Sequence, residues 1–261
     1  MHLWVKRAKI VKKEDKMKHY VPYLFNKNEL LKDFKSEKQL NNWIFNQKKL
    51  EKIKKIRNGL YVSIDQAGII NSTKFEIASK ISPDSFVAFH SALEYYGIAN
   101  QVFNNMVVGS STKFNTFEFD GIEYNLKIIK NYEQVNYIES AKVRITSLER
   151  TIIDCIDNIE LAGGIEEVLN ALQQIKTLEE TKLLDVLKSY NKVLLYQKVG
   201  FILEQFKDEL MLSDYFFCEC KSHLTNQVKY FLQDEFKNIE YNSNWKIMAP
   251  INIKTRINGG S

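Results

Sequence analysis

Lys38, Asn41, Asn42, Phe45 and Lys49 recur at three- and four-residue intervals. That spacing lines side chains along one face of an α-helix. An Asn amide can pair with the edge of adenine in a major groove, and lysines can hold phosphates or guanine edges. Phe45 fits two roles, touching a thymine methyl or packing beneath a preceding helix. A second polar set, Lys54, Lys55, Arg57 and Asn58, follows directly and suits contacts to phosphate or the minor groove. Together these residue types point to the holding of duplex DNA.

The elements that would position them are legible nearby. Asn26 precedes Glu29 by three residues, and Ser36 precedes Gln39 by three. Each pair can form a capping box, so helices are expected from Lys27 and from Glu37, with a tight corner between. In the second helix Leu40, Trp43, Ile44 and Gln47 form the inward stripe, continued by Leu50. Ile53–Arg57 and Leu60–Ile64 then read as strands around Asn58-Gly59, a type I′ hairpin signal. Helix, corner, helix, hairpin is the order of a winged helix-turn-helix. A first helix, needed to complete its core, is expected over 14–21, just before Pro22.

Charge divides the chain. Residues 1–65 carry 17 Lys+Arg against 7 Asp+Glu, a net of +10. The whole chain carries 37 against 32, which leaves 20 against 25, a net of −5, for the rest. A basic head is the electrostatic footprint of phosphate binding, although a solvated lysine-rich surface produces the same count. The division predicts a DNA-binding domain over 1–65 (core 24–65) and a second domain over 66–250. A tail over 251–261 includes Gly259-Gly260-Ser261.

The second domain reads as mixed α/β over 66–145 and mainly helical over 146–232, so the fold class is α+β. Thr73 and Glu76 cap a short helix, and Ser82-Pro83-Asp84-Ser85 opens one that runs to Tyr96. Strands are expected over 105–110, 116–119, 122–129 and 142–145. Helices follow from the Thr146/Glu149 pair, over 165–175, from the Thr177/Glu180 pair to Tyr190, over 192–206 and over 221–232. Trp245–Met248 is expected as a last strand.

Three cysteines, an odd number, argue against a disulfide framework and for a reducing cytoplasm. No apolar run reaches the roughly 18 residues of a membrane span, and no secretory h-region follows the basic N-terminus. Met17 is an alternative start. Walker A and dinucleotide glycine fingerprints are missing. His90-Ser91 are neighbours on a helix and so point apart. Glu149 is explained as a capping partner, and Arg150 with Asp154 as an i,i+4 ion pair. Cys218, Cys220 and His223 lack an evident fourth ligand. The reading is of a non-enzyme with no cofactor or metal.

Four segments, spread from about residue 25 to 205, resemble the AbiEi-type antitoxin family. Ile56-Arg57-Asn58-Gly59-Leu60-Tyr61 matches its wing signature. Ser91-Ala92-Leu93-Glu94-Tyr95-Tyr96-Gly97-Ile98 is similar to its central segment, with Tyr96 where many members carry His. The run from Val143 to Asp154 resembles its "pEkTllD" segment, with Ser147 for the usual proline and Arg150 for the usual lysine. Tyr196–Glu204 resembles its "RlGflLE" helix, with Lys198 for the common arginine. The resemblance marks Ser91, Glu149, Arg150, Asp154, Lys198 and Glu204 as motif residues of the antitoxin domain.

It also implies a type IV toxin–antitoxin pair linked to phage defence. The winged-helix head would repress its own promoter, and the C-terminal domain would counter a nucleotidyltransferase-like toxin, with or without direct contact. The competing expectations are a stand-alone regulator whose second domain senses a ligand or partner, and an enzyme with a nucleic-acid-targeting head.

Overall fold

The computed structural model describes residues 20–129, 137–140, 142–232 and 238–256. The helix expected over 14–21 falls outside this set except for Tyr20 and Val21, which are not helical. Met17 and Gly259-Gly260-Ser261 also lie outside it. The fold is mixed α/β, consistent with the α+β expectation.

The N-terminal unit runs β1 (Leu24–Asn26), α1 (Lys27–Leu31), α2 (Glu37–Lys49), β2 (Ile53–Arg57) and β3 (Leu60–Ser63). The strands form one antiparallel sheet in the order β1-β3-β2. Asn26 caps α1 by accepting from the Asn28 amide at 3.2 Å. Its expected box partner, Glu29, instead pairs with Lys80 at 3.0 Å. Ser36 caps α2 by accepting from the Gln39 amide at 3.2 Å, while the Gln39 carboxamide accepts from the Lys35 amide at 3.0 Å. The hairpin turns at Asn58-Gly59 as expected, but not as type I′. Gly59 alone takes positive φ, +82°, and the register slips between Lys55 and Arg57. A bulge there adds the local right-handed twist that a type I′ turn would otherwise supply.

The second part holds a six-stranded mixed sheet in the order β6-β7-β5-β4-β9-β8. Its strands are β4 (Phe86–Val87), β5 (Asn105–Ser110), β6 (Phe117–Phe119), β7 (Ile122–Ile128), β8 (Tyr137–Ser140) and β9 (Val143–Thr146). Helices α3 (Lys74–Lys80) and α4 (His90–Tyr95) flank it. Then come α5 (Leu148–Asp157), α6 (Ile165–Gln174), α7 (Glu180–Tyr190), α8 (Val193–Glu204) and α9 (Asp214–Ser222). A small sheet in the order β10-β12-β11 ends the fold, from β10 (Lys229–Tyr230), β11 (Ile239–Asn242) and β12 (Ile247–Pro250).

Several local expectations are corrected. The helix over 82–96 is split. Asp84 accepts from the Ser82 and Ser110 hydroxyls at 2.9 and 2.8 Å and from the Ser111 amide at 2.6 Å, which ties it to the end of β5. Phe86-Val87 is then drawn in as a strand between β5 and β9, and only α4 remains helical. The cap of α5 is Ser147 rather than Thr146, and Glu149 accepts from the Glu179 amide at 3.3 Å instead of closing a box. Helix α7 starts after Glu179, because Glu180 turns to the Ser213 hydroxyl at 2.9 Å. The helix expected over 221–232 is not formed. Only Lys221 and Ser222 are helical, as the end of α9, which Ser213 starts by accepting from the Phe216 amide, and Lys229–Tyr230 is strand β10.

The hydrophobic core does not break at residue 65. One face of the N-terminal sheet, Phe25, Ile53 and Tyr61, packs on Leu30, Leu40 and Ile44 of the helices. The other face, Leu24, Ile56, Leu60 and Val62, joins Ile77, Ala78 and Ile81 of α3 and Met106 and Tyr124 of the large sheet. Strand β3 is therefore buried on both sides. The charge boundary and the packing boundary do not coincide.

Candidate nucleic-acid interface

Helix α2 is anchored at its first turn and along one stripe. Lys27 bonds Glu37 at 2.7 Å, which ties α1 to its first turn. Leu40, Ile44 and Gln47 are buried, and Trp43 meets Phe25 and Phe34 with ring centroids 5.9 and 5.7 Å apart. Leu50 leaves that stripe and is 60 % exposed, because the chain turns away at Glu51, whose φ is +53°.

With the inner stripe fixed, Lys38, Asn41, Asn42, Phe45 and Lys49 share the outer face, and all are exposed. Phe45 is 67 % exposed, so among the described residues it is not packed beneath a helix. Asn46 and Lys48 extend the same polar and basic surface. They were not singled out from sequence, although the helical period that placed Asn42 and Lys49 also reaches Asn46.

The hairpin residues divide by register. Cross-strand partners share a face, so Lys55, opposite Tyr61, lies on the α2 side of the sheet. Lys54, opposite Val62, lies on the body side, where its ammonium approaches the Gly68 carbonyl at 3.5 Å. Arg57 also turns to the body. Its guanidinium sits 5.2 Å from the ring centres of both Phe114 and Phe117, and burial lowers its pKa. Asn58 is exposed at the turn. Arg57 is thus placed as a clamp between hairpin and body, away from the exposed face of α2.

The six motif residues of the body are internal supports and are not gathered into one site. Ser91 is buried and accepts from the Val107 amide at 2.8 Å. Arg150 and Asp154 form the expected ion pair, Nε to Oδ1 2.7 Å, both buried. Tyr190 bonds both, donating to Asp154 and accepting from Arg150 at 2.9 Å. Burial pushes the Asp154 carboxyl up, and Arg150 pulls it only partly back. Glu204 accepts from Trp245 Nε1 at 2.7 Å and pairs with Lys221 at 3.3 Å. Lys198 lies 5.8 Å over the Phe231 ring. Gly200, within the same helical segment, is pressed against Trp245, and a Cβ there would lie 1.9 Å from Cζ3.

A cavity of about 360 Å³ opens beside this network, lined by Phe89, Lys127, Arg150, Asp157, Tyr190 and Lys192 among others. His90 Nε2 sits 3.2 Å from Glu167 Oε1, while Ser91 serves the β5 backbone, so the pair makes no base–nucleophile contact. Cys218 is exposed and Cys220 buried, and His223 stacks on Tyr196 at 4.4 Å. Among the described residues no group of three or more His, Cys, Asp or Glu is placed to hold a metal. Among them, too, no helix is long and apolar enough to cross a membrane.

No family model matches the chain, and no curated protein matches it. A solved structure does. The RV2827C protein from Mycobacterium tuberculosis aligns with a TM-score of 0.61 over 94 % of this chain and 91 % of that one, at 10 % identity. The likeness is of fold alone.

Proposed function

We propose that the N-terminal unit is a winged helix-turn-helix that binds duplex DNA, with the outer face of α2 in the major groove. The observation that carries this is the two-sidedness of α2. Leu40 and Ile44 fix one face in the core, and Lys38, Asn41, Asn42 and Lys49 stand exposed on the other. The net charge of +10 over residues 1–65 supports it. In this reading Lys38, Lys49 and Lys55 hold phosphates, and Asn41 and Asn42 meet base edges. Asn58 touches the adjacent backbone.

The wider reading is a cytoplasmic, non-catalytic antitoxin of the AbiEi type. It represses its own operon and counters a nucleotidyltransferase-like toxin. Its support is the four ordered segments of sequence resemblance. A second reading, a stand-alone regulator with a ligand-sensing body, is favoured by the cavity beside Arg150 and Tyr190.

The test is co-expression of the full chain with its neighbouring gene, alongside a reporter driven by the upstream region. Wild type is expected to restore growth and silence the reporter. A Lys38→Glu/Lys49→Glu chain should restore growth without silencing. Failure of folded wild type to rescue from a toxic neighbour leaves only the regulator reading. Failure to silence rejects the DNA-binding half.

A further inference from the structure

Phe45 is the one apolar side chain on an otherwise polar stripe. It lies one turn from Asn41 and Asn42, between Lys38 and Lys49, and is 67 % exposed. Among the described residues nothing covers it, and neither asparagine has a side-chain hydrogen bond to satisfy it. A single exposed aromatic is ordinary on a protein surface. Its position is what carries weight here, because the thymine C5-methyl is the apolar feature that base edges offer in the major groove. Asparagine amides suit adenine, the partner of thymine in the same base pair. Side chains three and four apart on a helix stand about 5–6 Å from one another, one to two base-pair steps at roughly 3.4 Å. Ring and amides can therefore address neighbouring A·T pairs at once.

We propose that Phe45 is a specificity-determining residue that reads thymine methyl groups beside adenines held by Asn41 or Asn42. The head then prefers A·T-rich duplex sites. This inference rests on the DNA-binding reading above. Lysines supply the sequence-independent part of binding, and the Phe45–Asn face supplies the choice.

The test begins with the full chain selecting duplexes from a random-sequence pool, where an A·T-rich consensus is expected. The selected duplex is then remade with deoxyuridine for thymidine, which removes only the C5-methyl. Wild type should bind about four-fold more weakly for each contacted methyl lost, the worth of one buried methyl-sized group. Phe45→Ala, at an exposed position, should keep the wild-type unfolding midpoint. It should bind thymidine and deoxyuridine duplexes equally, and Phe45→Leu should recover part of the discrimination. A G·C-rich consensus, or salt-sensitive binding with equal affinity for both duplexes in wild type, overturns the inference and leaves the DNA-binding reading standing. No binding to any duplex at low salt overturns both.

Discussion

Replacing Arg57 by alanine tests where the hairpin belongs. The guanidinium lies 5.2 Å from each of two ring centres, Phe114 and Phe117. A cation–π contact contributes from about 0.5–1 kcal/mol when exposed to ~2 when desolvated, and Arg57 is half-buried, so two contacts give about 2–3 kcal/mol. One nitrogen, Nη1, is buried without a hydrogen-bond partner, which takes back roughly 1 kcal/mol. The net loss expected for Arg57→Ala is about 1–2 kcal/mol, each kcal/mol lowering Tm by about 2–4 °C in a chain of this size. The assay is urea unfolding of the full chain, paired with duplex affinity across a salt series. The urea midpoint should fall with m unchanged, while the slope of log K against log salt stays at the wild-type value, since no phosphate contact is lost. An unchanged midpoint with a slope shallower by about 0.9 would make Arg57 a phosphate ligand and refute the clamp.

Other outcomes follow from the body. Gly200→Ala should destabilise by about 3 kcal/mol or more, because Trp245 is fully buried and held by Glu204, and so cannot yield to the added methyl; a wild-type urea midpoint would contradict this packing. Asp154→Ala should cost ~3–5 kcal/mol by leaving Arg150 buried without its carboxylate, and a combined Arg150→Met/Asp154→Leu chain should lose much less than the two single changes added together. Burial alone would raise the Asp84 pKa, but hydrogen bonds from Ser111, Ser110, Thr112 and Ser82 hold it well below the usual 3.8. Its contribution is therefore complete above the unfolded pKa and is lost as pH falls toward the folded one. Urea midpoints of Asp84→Asn should fall less than those of wild type between about pH 5 and pH 2. A fragment of residues 66–261 should be less stable than the full chain, since removing β1 and β3 uncovers Ile77, Ala78 and Ile81, the isoleucines worth about 1.5–3 kcal/mol each. Equal midpoints for fragment and full chain would support residue 65 as a domain boundary.

What was legible in sequence was mostly local. Thr73 and Glu76 form the capping box their spacing predicts, and the strand expected over 105–110 is β5. The inner stripe of α2 follows from period alone, and its outer face follows by subtraction. Tertiary demands overrode the rest. Ser82-Pro83-Asp84 carries a helix-opening signal, yet Phe86-Val87 is needed between β5 and β9, and Asp84 holds the loop that delivers it. Arg57 and Lys55 look alike in a basic hairpin. A bulge and the strand register send Lys55 to the α2 side and Arg57 to Phe114 and Phe117, distant in sequence. Charge counting drew a boundary at 65 because lysines record solvent exposure. The alternating apolar residues of β3, buried on both faces, record packing that crosses it.

The central claim is that the outer face of α2 and the α2 side of the hairpin hold DNA. The most direct test is fluorescence anisotropy of the full chain on a duplex of its own upstream region, from about 50 to 200 mM salt. Wild type is compared with Lys38→Ala/Lys49→Ala/Lys55→Ala. Steep salt-dependent binding by wild type is expected, with a slope shallower by about 2.7 in the triple variant, three phosphate contacts at about 0.9 each. Equal slopes for two folded proteins, or no binding by wild type at low salt, would contradict the account.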